Sequence, residues 1–493
     1  MEPWITDGTE AGTRLLADVA PGLATSTFGG SATWRGQIYF PADDVTHGRE
    51  MWVTDGTAAG TRLVADVAPG SASLGLGLIT PLDSALVFVA HDDDHGDELW
   101  TSDGTGAGTR MLKDINEGPS GSFPHGLVRW GDAVFCFAYD DTRAYLVRTD
   151  GTEAGTLEVP LTPGLEGIDL PVAFEDALWF IVTDFSETAE LWRSDGTIAG
   201  TAPVATIDAY AAGEVAVAGE TLYFEAGNEL WRSDGTAAGT HLLKDIRPGP
   251  FGSDPTDLVA VGNTLFFVAD DGTHGREVWK SDGTEAGTMM VSDIEPGAFS
   301  SIPTGLSNVE GVVLFSAGLD AEGLELWRTD GTEAGTYLVQ DLLPGPEFST
   351  PRGIFTFGSR VYFTAVDDLA GREPWVARAA ILTRQPVRAV QDLADDVRAL
   401  ALPTGIEQSL TAKLDAAAEA LGRPNGARVA HKLLAAFANE VRAQSPPISE
   451  SAAADLLEFV GEIEGLLGAS VPSPPRESLR SFEGPTIHLD RPR

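Results

Sequence analysis

The side chains best suited to chemistry in this sequence are aspartates that occur in short clusters. Each cluster holds two or three consecutive aspartates, and the clusters recur along the first 370 residues. Their members are Asp43 and Asp44; Asp92, Asp93 and Asp94; Asp270 and Asp271; and Asp367 and Asp368. Calcium prefers several carboxylate and carbonyl oxygens on a loop, so these clusters are candidate calcium sites. The alternative is that they form solvated turns, because none follows the Asp-x-Asp-x-Asp-Gly order of an EF-hand.

Three histidines follow these clusters, and they are the other candidate ligands. His47, His95 and His274 occupy the same position relative to their aspartates, which favours a role in packing the loop. The sequence has no Gly-x-Ser-x-Gly elbow, no His-Glu-x-x-His and no Gly-x-x-x-x-Gly-Lys. An active site usually breaks repeat symmetry with unique residues, and we find no such set. We therefore predict no catalytic residues and a protein that is not an enzyme.

The acidic clusters belong to an internal repeat of about 48 residues, which is the dominant feature of the chain. A motif of the form Glu-x-Trp-x-x-Asp-Gly-Thr recurs throughout, and a degenerate copy has Val147 in place of tryptophan. The motif tryptophans are Trp4, Trp52, Trp100, Trp192, Trp231, Trp279, Trp327 and Trp375. Nine motif positions define eight intervals, so the pattern predicts eight structural units.

One interval, residues 257–294, shows the plan of each unit. Two apolar segments flank a Gly-Asn turn, and the motif then supplies a third strand, an Asp-Gly turn and a fourth strand. Four short antiparallel strands in one repeat are typical of a propeller blade. We predict an all-β, eight-bladed propeller over residues 1–379. The strands at the two ends of the sequence would complete one blade, and the start inside a motif suggests that a longer N-terminus is missing.

The motif residues themselves have structural explanations. Aspartate bonds local backbone amides and glycine takes a positive φ, which accounts for the Asp-Gly-Thr turn. The pattern Ala269-x-Asp271-x-x-x-Gly275-Arg276-x-x-Trp279, with further copies, resembles the tryptophan-docking motif of eight-bladed quinoprotein dehydrogenases. That resemblance implies that each tryptophan packs between neighbouring blades. The adjacent-cysteine disulfide of many such enzymes is impossible here, because Cys136 is the only cysteine.

Composition limits the partners. The formal net charge is −42, and nearly all of it lies before residue 381. Such a field repels nucleic acid and anionic lipid, and it favours cations or basic partners. No apolar run is long enough to span a membrane, and residues 1–20 show no signal peptide.

After Arg378 the apolar period changes from two to about 3.6 residues. Four short amphipathic helices are predicted within residues 383–468, and Thr404 and Glu407 form a candidate capping box for the second of them. Residues 469–493 are rich in proline, serine and arginine, which predicts a disordered tail.

The Glu-Leu-Trp-x-x-Asp-Gly-Thr pattern over residues 2–378 resembles the bacterial ELWxxDGT-repeat family. The helical region, through Ile406, Leu410, Phe437 and Val441, is similar to the FIMAH domain of secreted bacterial proteins. Both resemblances imply a secreted or cell-surface protein.

From these observations we predict a non-enzymatic extracytoplasmic propeller. It would bind a protein, glycan or matrix ligand on the face that carries the loops between second and third strands and the loops between blades, with calcium as the one candidate cofactor. The alternative is an enzyme with a site at the propeller centre, either a quinoprotein-like oxidoreductase or a glycan hydrolase. The sequence does not determine the ligand or the oligomeric state.

Overall fold

A computed structural model of the chain is an eight-bladed β-propeller of antiparallel sheets followed by helices, as predicted. It describes residues 3–5, 14–20, 30–44, 46–66, 77–161, 165–168, 171–184, 188–207, 214–319, 323–345, 347–367, 371–423, 426–444 and 448–468. The chain divides into two compact units, Met1–Leu258 with Gly283–Glu285, and Val259–Asp282 with Ala286–Arg493. The predicted tail at residues 469–493 lies outside the described residues.

Seven blades are complete sheets, and their strands are adjacent in chain order. The first four contain these strands: blade 1, β3 (Ala32–Trp34), β4 (Gln37–Asp43), β5 (Arg49–Thr54) and β6 (Arg62–Ala65); blade 2, β7 (Gly77–Pro81), β8 (Leu86–Asp92), β9 (Gly96–Ser102) and β10 (Arg110–Lys113); blade 3, β11 (His125–Trp130), β12 (Ala133–Tyr139), β13 (Ala144–Thr149) and β14 (Leu157–Pro160); and blade 4, β15 (Leu165–Ile168), β16 (Val172–Phe174), β17 (Ala177–Asp184), β18 (Ala189–Ser194) and β19 (Ala202–Ile207). In blade 4 both β15 and β16 pair with β17.

The remaining blades follow the same plan. Their strands are, in blade 5, β20 (Val215–Ala218), β21 (Thr221–Ala226), β22 (Glu229–Ser233) and β23 (His241–Lys244); in blade 6, β24 (Thr256–Val261), β25 (Thr264–Asp270), β26 (Arg276–Ser281) and β27 (Met289–Met290); and in blade 7, β28 (Thr304–Val309), β29 (Val312–Leu319), β30 (Gly323–Thr329) and β31 (Tyr337–Gln340). Blade 8 is a three-stranded sheet, β32 (Arg352–Phe357), β33 (Arg360–Asp367) and β34 (Gly371–Arg378). A two-stranded sheet of β1 (Trp4–Ile5) and β2 (Arg14–Leu15) opens the chain. That the two ends complete one blade stays a prediction.

A cross-strand aromatic pair marks the centre of nearly every blade. The motif tryptophan lies opposite a phenylalanine of the second strand, as Phe180 lies opposite Trp192 in blade 4. The same pairing occurs in blades 1, 2, 5, 6, 7 and 8. In blade 3 the pair is Cys136 and Val147, so the single cysteine fills the phenylalanine position where valine replaces tryptophan. Burial of these second strands on both faces forms the blade cores.

The tryptophans also reach the preceding blade. Trp100 of blade 2 belongs to the buried cluster of Met51 and Val53 in blade 1, and Trp192 joins Phe135 of blade 3 in the same way. Trp4 lies in β1, and its side chain is outside the described residues. Tryptophan therefore contributes to the apolar joint between neighbouring blades, since it buries a large area.

The Asp-Gly-Thr turn between third and fourth strands closes on itself. In blade 7 the Oδ1 of Asp330 accepts from the backbone N of Thr332 at 3.0 Å and from its Oγ1 at 2.6 Å. Thr329 Oγ1 bonds Thr336 Oγ1 at 2.7 Å, which joins the two strands at the turn. Gly331 has a φ of +86°, a conformation that favours glycine. The predicted structural role of the turn follows from these local bonds.

Among the described residues, five helices follow blade 8: α1 (Ala379–Leu382), α2 (Pro386–Ala399), α3 (Thr404–Leu421), α4 (Ala427–Ala443) and α5 (Glu450–Gly468). Helices α2 to α5 enclose one apolar core around Leu393, Leu410 and Phe437. The predicted capping box is wrong: Thr404 is the first helical residue, because the Pro403 carbonyl already accepts from the backbone amides of Ile406 and Glu407. Of the helices described, none is long and apolar enough to cross a membrane.

Helix α1 takes the place of an Asp-Gly-Thr turn at the end of β34. In blade 6 the Nζ of Lys280 donates to the carbonyl of Gly331 in the next turn at 2.7 Å. Arg328 holds the corresponding position in blade 7, and its Nη1 donates instead to the carbonyl of Leu382 in α1 at 3.0 Å. The residue after the motif tryptophan thus donates either to the turn of the next blade or, in blade 7, to helix α1, and the same kind of contact attaches the helices to the propeller.

Candidate functional site

The loops between second and third strands meet the blade-to-blade loops on one side of the propeller, as predicted. In blade 2 the backbone N of Ser122 donates to the carbonyl of Asp97 at 2.9 Å. Gly96 and Gly121 approach so closely that a Cβ on either would overlap the backbone of the other loop. We call this side the loop face and the opposite side, which carries the Asp-Gly-Thr turns, the turn face.

On the loop face, the acidic clusters form turns that bind their own histidines. Asp44 Oδ1 accepts from the backbone N of Thr46 at 2.9 Å and of His47 at 2.8 Å. Its Oδ2 is 2.7 Å from Nδ1 of His47. In the same way, the carboxylates of Asp92 and Asp271 accept from the backbone N of His95 and His274 and lie 2.8 and 2.7 Å from their Nδ1 atoms. Three of the nine predicted metal residues therefore accept turn-forming bonds from a histidine, and a fourth, Asp270, accepts from the backbone N of Gly272 at 2.7 Å.

These bonds set the protonation of both partners. Burial would raise the pKa of Asp271, but hydrogen bonds from the ring and backbone of His274 outweigh it and lower that pKa below its usual value. The same side-chain bond raises the pKa of His274. The pKa is likewise lowered at Asp44 and Asp92 and raised at His47 and His95.

The remaining predicted ligands lie beside these turns. Asp43, Asp93, Asp94 and Asp270 belong to the same segments. Asp367 ends β33, with its side chain outside the described residues, and Asp368 lies outside them entirely. Within the described residues, no group of three or more His, Cys, Asp or Glu side chains could hold a metal ion. Calcium binding stays a prediction.

A buried carboxylate beneath the loop face was missed by the sequence analysis. Glu277, at the start of the motif, is fully buried. Its Oε2 accepts from the Oγ of Ser301 at 2.7 Å, and its Oε1 accepts from the Ser301 backbone N at 3.2 Å. The backbone amides of Ile294 and Glu295 donate to the same carboxylate at 3.3 Å. This set, which we call the Glu–Ser clasp, holds the loop that leads from blade 6 to blade 7.

The clasp repeats and spans two blades. It recurs at Glu98 with Ser122, Glu229 with Ser253 and Glu325 with Ser349, each with an Oγ–carboxylate distance of 2.7 Å. At three of the four clasps the carbonyl of the serine accepts from the second strand of the following blade. These bonds run to Ser122 from Tyr139, to Ser301 from Gly318 and to Ser349 from Val366. One serine thus connects the third strand of one blade to the second strand of the next.

Burial raises the pKa of the clasp glutamates Glu98, Glu277 and Glu325 to about 7. The hydrogen bonds that each accepts oppose this effect without cancelling it. A glutamate with such a pKa is common in active sites, but here it recurs in equivalent positions and is closed off from solvent. Its arrangement therefore fits a structural joint.

The residue after each clasp serine has an unfavourable backbone. Ile302 and Thr350 have φ values of +48° and +41°, although both are β-branched and both precede proline. Phe123 and Asp254 occupy the same position with φ values of +50° and +49°. Such conformations cost about 1–3 kcal/mol each and persist only where the surroundings enforce them. The clasp supplies that enforcement.

Phenylalanines project from the loops that the clasps hold. Phe251 is 73% exposed, Phe299 65%, Phe348 58% and Phe123 57%. Acidic residues accompany them in the same loops, including Glu117, Asp254, Glu295 and Glu347. In each of the two compact units the loop face therefore presents large apolar side chains in an acidic setting. This combination is suited to contacts with a basic and partly apolar polymer.

Comparison with known proteins gives matches to solved structures alone. No protein-family model matches the chain, and no curated protein matches it. Puromycin hydrolase is 13% identical, with a TM-score of 0.38 over 73% of this chain and 60% of that chain. Prolyl oligopeptidase B from Galerina marginata is 12% identical, with a TM-score of 0.40 over 72% of this chain and 56% of that one. The β-propeller domain of the Trilobed protease from Pyrococcus furiosus is 8% identical, with a TM-score of 0.37 over 72% and 95%.

These matches correct two sequence-based predictions. We expected a non-enzymatic binding protein, whereas the similar structures are peptidases or the propeller of a protease. The match covers less than two thirds of the puromycin hydrolase and prolyl oligopeptidase chains. The prediction of a non-enzymatic protein rested on the lack of unique residues in the repeats, and that lack does not exclude a role in an enzyme. At these identities and TM-scores the likeness transfers no reaction to the present chain.

Proposed function

We propose that this chain is the propeller of a peptidase system, and that its loop face receives basic, partly apolar polypeptide segments. Peptide hydrolysis is the reaction class to test, because prolyl endopeptidases are among the proteins of similar structure. The observation that supports the proposal is the set of exposed phenylalanines on the acidic loop face.

Charge and apolar area act together in this proposal. A net charge of −42 attracts basic segments over distances of about a Debye length and raises their rate of encounter. Long-range attraction alone gives little affinity, since exposed ion pairs contribute at most about 1 kcal/mol each. Phenylalanine side chains supply contact area that is lost from water on binding, at about 25 cal/mol per Å². The clasps hold the loops in place, which lowers the entropy cost of binding.

The test is fluorescence anisotropy with a labelled peptide of lysine, leucine and glycine, and with an acidic peptide in which glutamate replaces lysine. We expect binding of the basic peptide that weakens with salt. The double variant Phe299→Ser/Phe348→Ser should bind the basic peptide about ten-fold or more weakly, because truncation of each aromatic anchor typically costs over 1 kcal/mol. Phe357→Ser is the matched control, since this phenylalanine is 74% exposed on the turn face. Equal binding of both peptides would contradict the proposal.

The reaction is tested separately by incubating the basic peptide with the purified chain and measuring its mass. Cleavage that is lost in the Phe299→Ser/Phe348→Ser variant would assign the hydrolysis to this chain. An intact but bound peptide would assign it to another domain or subunit. Failure to bind the peptide would contradict the proposal.

Three further properties of the chain are proposed from its sequence motifs. They are membership of the ELWxxDGT-repeat family, a FIMAH-like helical module and an extracytoplasmic location. Calcium binding by the acidic clusters is a fourth, and millimolar calcium in a thermal unfolding experiment tests it directly.

A further inference from the structure

A cavity of about 380 Å³ opens on the turn face between blades 6 and 7. Val261, Phe266 and Met289 of blade 6 line its apolar side. Lys280, Asp282 and Asp330 line its polar side, the last from the Asp-Gly-Thr turn of blade 7. Its volume falls within the range of small-molecule sites.

The cavity exists because one position of the repeat has a small side chain. The last residue of the first strand is Trp34 in blade 1, Trp130 in blade 3 and Phe174 in blade 4, and in blade 6 it is Val261. Trp34 is 6% exposed, packs edge-on against Tyr39 at 5.8 Å and donates from its indole nitrogen to the carbonyl of Leu82 in blade 2 at 2.6 Å. An indole therefore fits this cleft when the chain itself supplies one.

Blades 5 and 7 have alanine and valine at this position, and other groups occupy their clefts. In blade 5, Ala218 is followed by the fully buried Tyr223, whose hydroxyl reaches the next turn at Gly283. In blade 7, Val309 packs in a cluster with Leu382 of helix α1. Blade 6 has Phe266 in the position of Tyr223, and its ring reaches Gly331 without filling the space beside Val261.

The polar lining selects the charge of a ligand. Lys280 is the one cation among the lining residues, and its Nζ already donates to the carbonyl of Gly331 at 2.7 Å. Asp282 is exposed at the mouth, and the side chain of Asp330 is 43% exposed. Oδ2 of Asp330 lies 3.7 Å from Nη2 of the buried Arg328, so this carboxylate already has a cationic neighbour. Asp282 makes the exposed mouth of the cavity acidic, which favours a cationic substituent on the ligand.

We propose that this cavity binds a flat aromatic ring that carries a protonated amine, as in a small aromatic amine or an aromatic residue at the N-terminus of a peptide. The ring takes the space between Val261, Phe266 and Met289 that Trp34 fills in blade 1. The ammonium group faces the carboxylate of Asp282 at the mouth of the cavity.

Isothermal titration of the full chain with tryptamine, indole and indole-3-acetate tests the proposal. Tryptamine should bind about ten-fold or more tightly than indole-3-acetate, with indole between them. Val261→Trp, which restores the residue of blade 1, should abolish tryptamine binding. Val429→Trp is the control, because this valine is 51% exposed on α4 and distant in sequence from the cavity lining.

A second variant keeps the test independent of how well Val261→Trp folds. Met289 is 48% exposed on the edge strand β27, so Met289→Lys adds a positive charge at the cavity with little disturbance of the core. It should weaken tryptamine binding several-fold and improve the relative binding of indole-3-acetate. Binding of all three compounds with equal affinity, tryptamine binding unchanged in both variants, or no binding at millimolar concentration would overturn the proposal. None of these measurements involves the loop face.

Discussion

The Oγ of Ser301 donates a 2.7 Å hydrogen bond to Oε2 of Glu277, across 24 residues of chain. Both side chains are fully buried, so each depends on the other for a partner that water would otherwise supply. The bond fixes the loop between blades 6 and 7, and the same bond recurs at three other blade junctions. The first two predictions concern this clasp.

Loss of the serine hydroxyl should weaken the junction. Ser301→Ala removes the shortest bond to Glu277 and leaves its buried Oε2 with only the 3.3 Å bond from the backbone N of Ile294. Such a loss at a buried carboxylate typically costs about 1–3 kcal/mol. Urea unfolding of the variant should show a lower midpoint by a corresponding amount. Ser307→Ala is the control, since its hydroxyl makes only an exposed bond to Gly305, and it should change the free energy of unfolding by less than about 0.5 kcal/mol. Equal effects of the two substitutions would argue against the clasp.

Stability should fall as the pH rises from 5 to 8. Glu98, Glu277 and Glu325 have a pKa of about 7 in the folded chain and about 4.5 when unfolded, so the folded state binds more protons between these values. Their favourable contribution is present below the unfolded pKa and lost as the pH rises through the folded one, on the order of 1–3 kcal/mol per glutamate. Below about pH 4 the aspartates with lowered pKa reverse the trend. Thermal unfolding from pH 4 to pH 8 should show the maximum near pH 5.

The matched variant for this pH dependence replaces all three glutamates with glutamine. Glutamine keeps an oxygen that accepts hydrogen bonds but has no titrating proton, so the slope between pH 5 and pH 8 should become clearly smaller. The raised pKa values of His47, His95 and His274 predict a residual slope of the same sign. A wild-type midpoint that rises over this range would contradict the assigned pKa direction.

A methyl group has opposite effects at two glycines. Gly335 closes the turn of blade 7, and a Cβ there would overlap the carboxylate of Asp330, which must then abandon its bonds to Thr332. Gly335→Ala should destabilise the chain by about 2 kcal/mol or more. Gly405 lies in the first turn of α3 with open space around it, so Gly405→Ala should be neutral or stabilise by up to about 1 kcal/mol. Differential scanning calorimetry of both variants distinguishes the two signs.

The attachment of the helices depends on Arg378. Its Nη1 is 2.9 Å from Asp396 in α2, its Nε is 3.3 Å from Glu462 in α5, and its guanidinium lies 3.7 Å from the ring centre of Phe459. Arg378→Met should cost about 2–4 kcal/mol, because it leaves two partly buried carboxylates without their cation. Arg423→Met, which breaks an exposed pair with Glu419, should cost less than about 0.5 kcal/mol. Limited proteolysis between blade 8 and α2 reports the loosening directly.

The sequence predicted the blades because their signals are local. An aspartate that bonds a threonine two residues later, and a glycine with positive φ between them, form the turn without help from distant residues. The tryptophan spacing then gave the number of blades. The helices were predicted for the same reason, although the start of α3 was misplaced by one residue because threonine is acceptable both as a cap and in a first turn.

The site was predicted less well, because its parts are joined at a distance. The aspartates at 44, 92 and 271 were visible as carboxylates, but their orientation toward their own histidines was not. The spacing of 24 residues between each clasp glutamate and its serine was present in the sequence, for example from Glu325 to Ser349. Nothing local relates the two, since the bond depends on how a whole blade folds back. The role of Val261 likewise became visible only when the strands of the structure showed that it occupies in blade 6 the position of Trp34 in blade 1.

The clasp has a consequence for how propellers of this repeat change size. Each of the four repeats that form a clasp contributes the glutamate for the junction that follows it, and the loop after its fourth strand carries the matching serine. An added or deleted repeat therefore brings or removes a complete joint, and the junctions on either side find the partners they had before. Gene duplication can therefore alter the number of blades without a new kind of contact between blades, because the glutamate and the serine of a clasp are copied together.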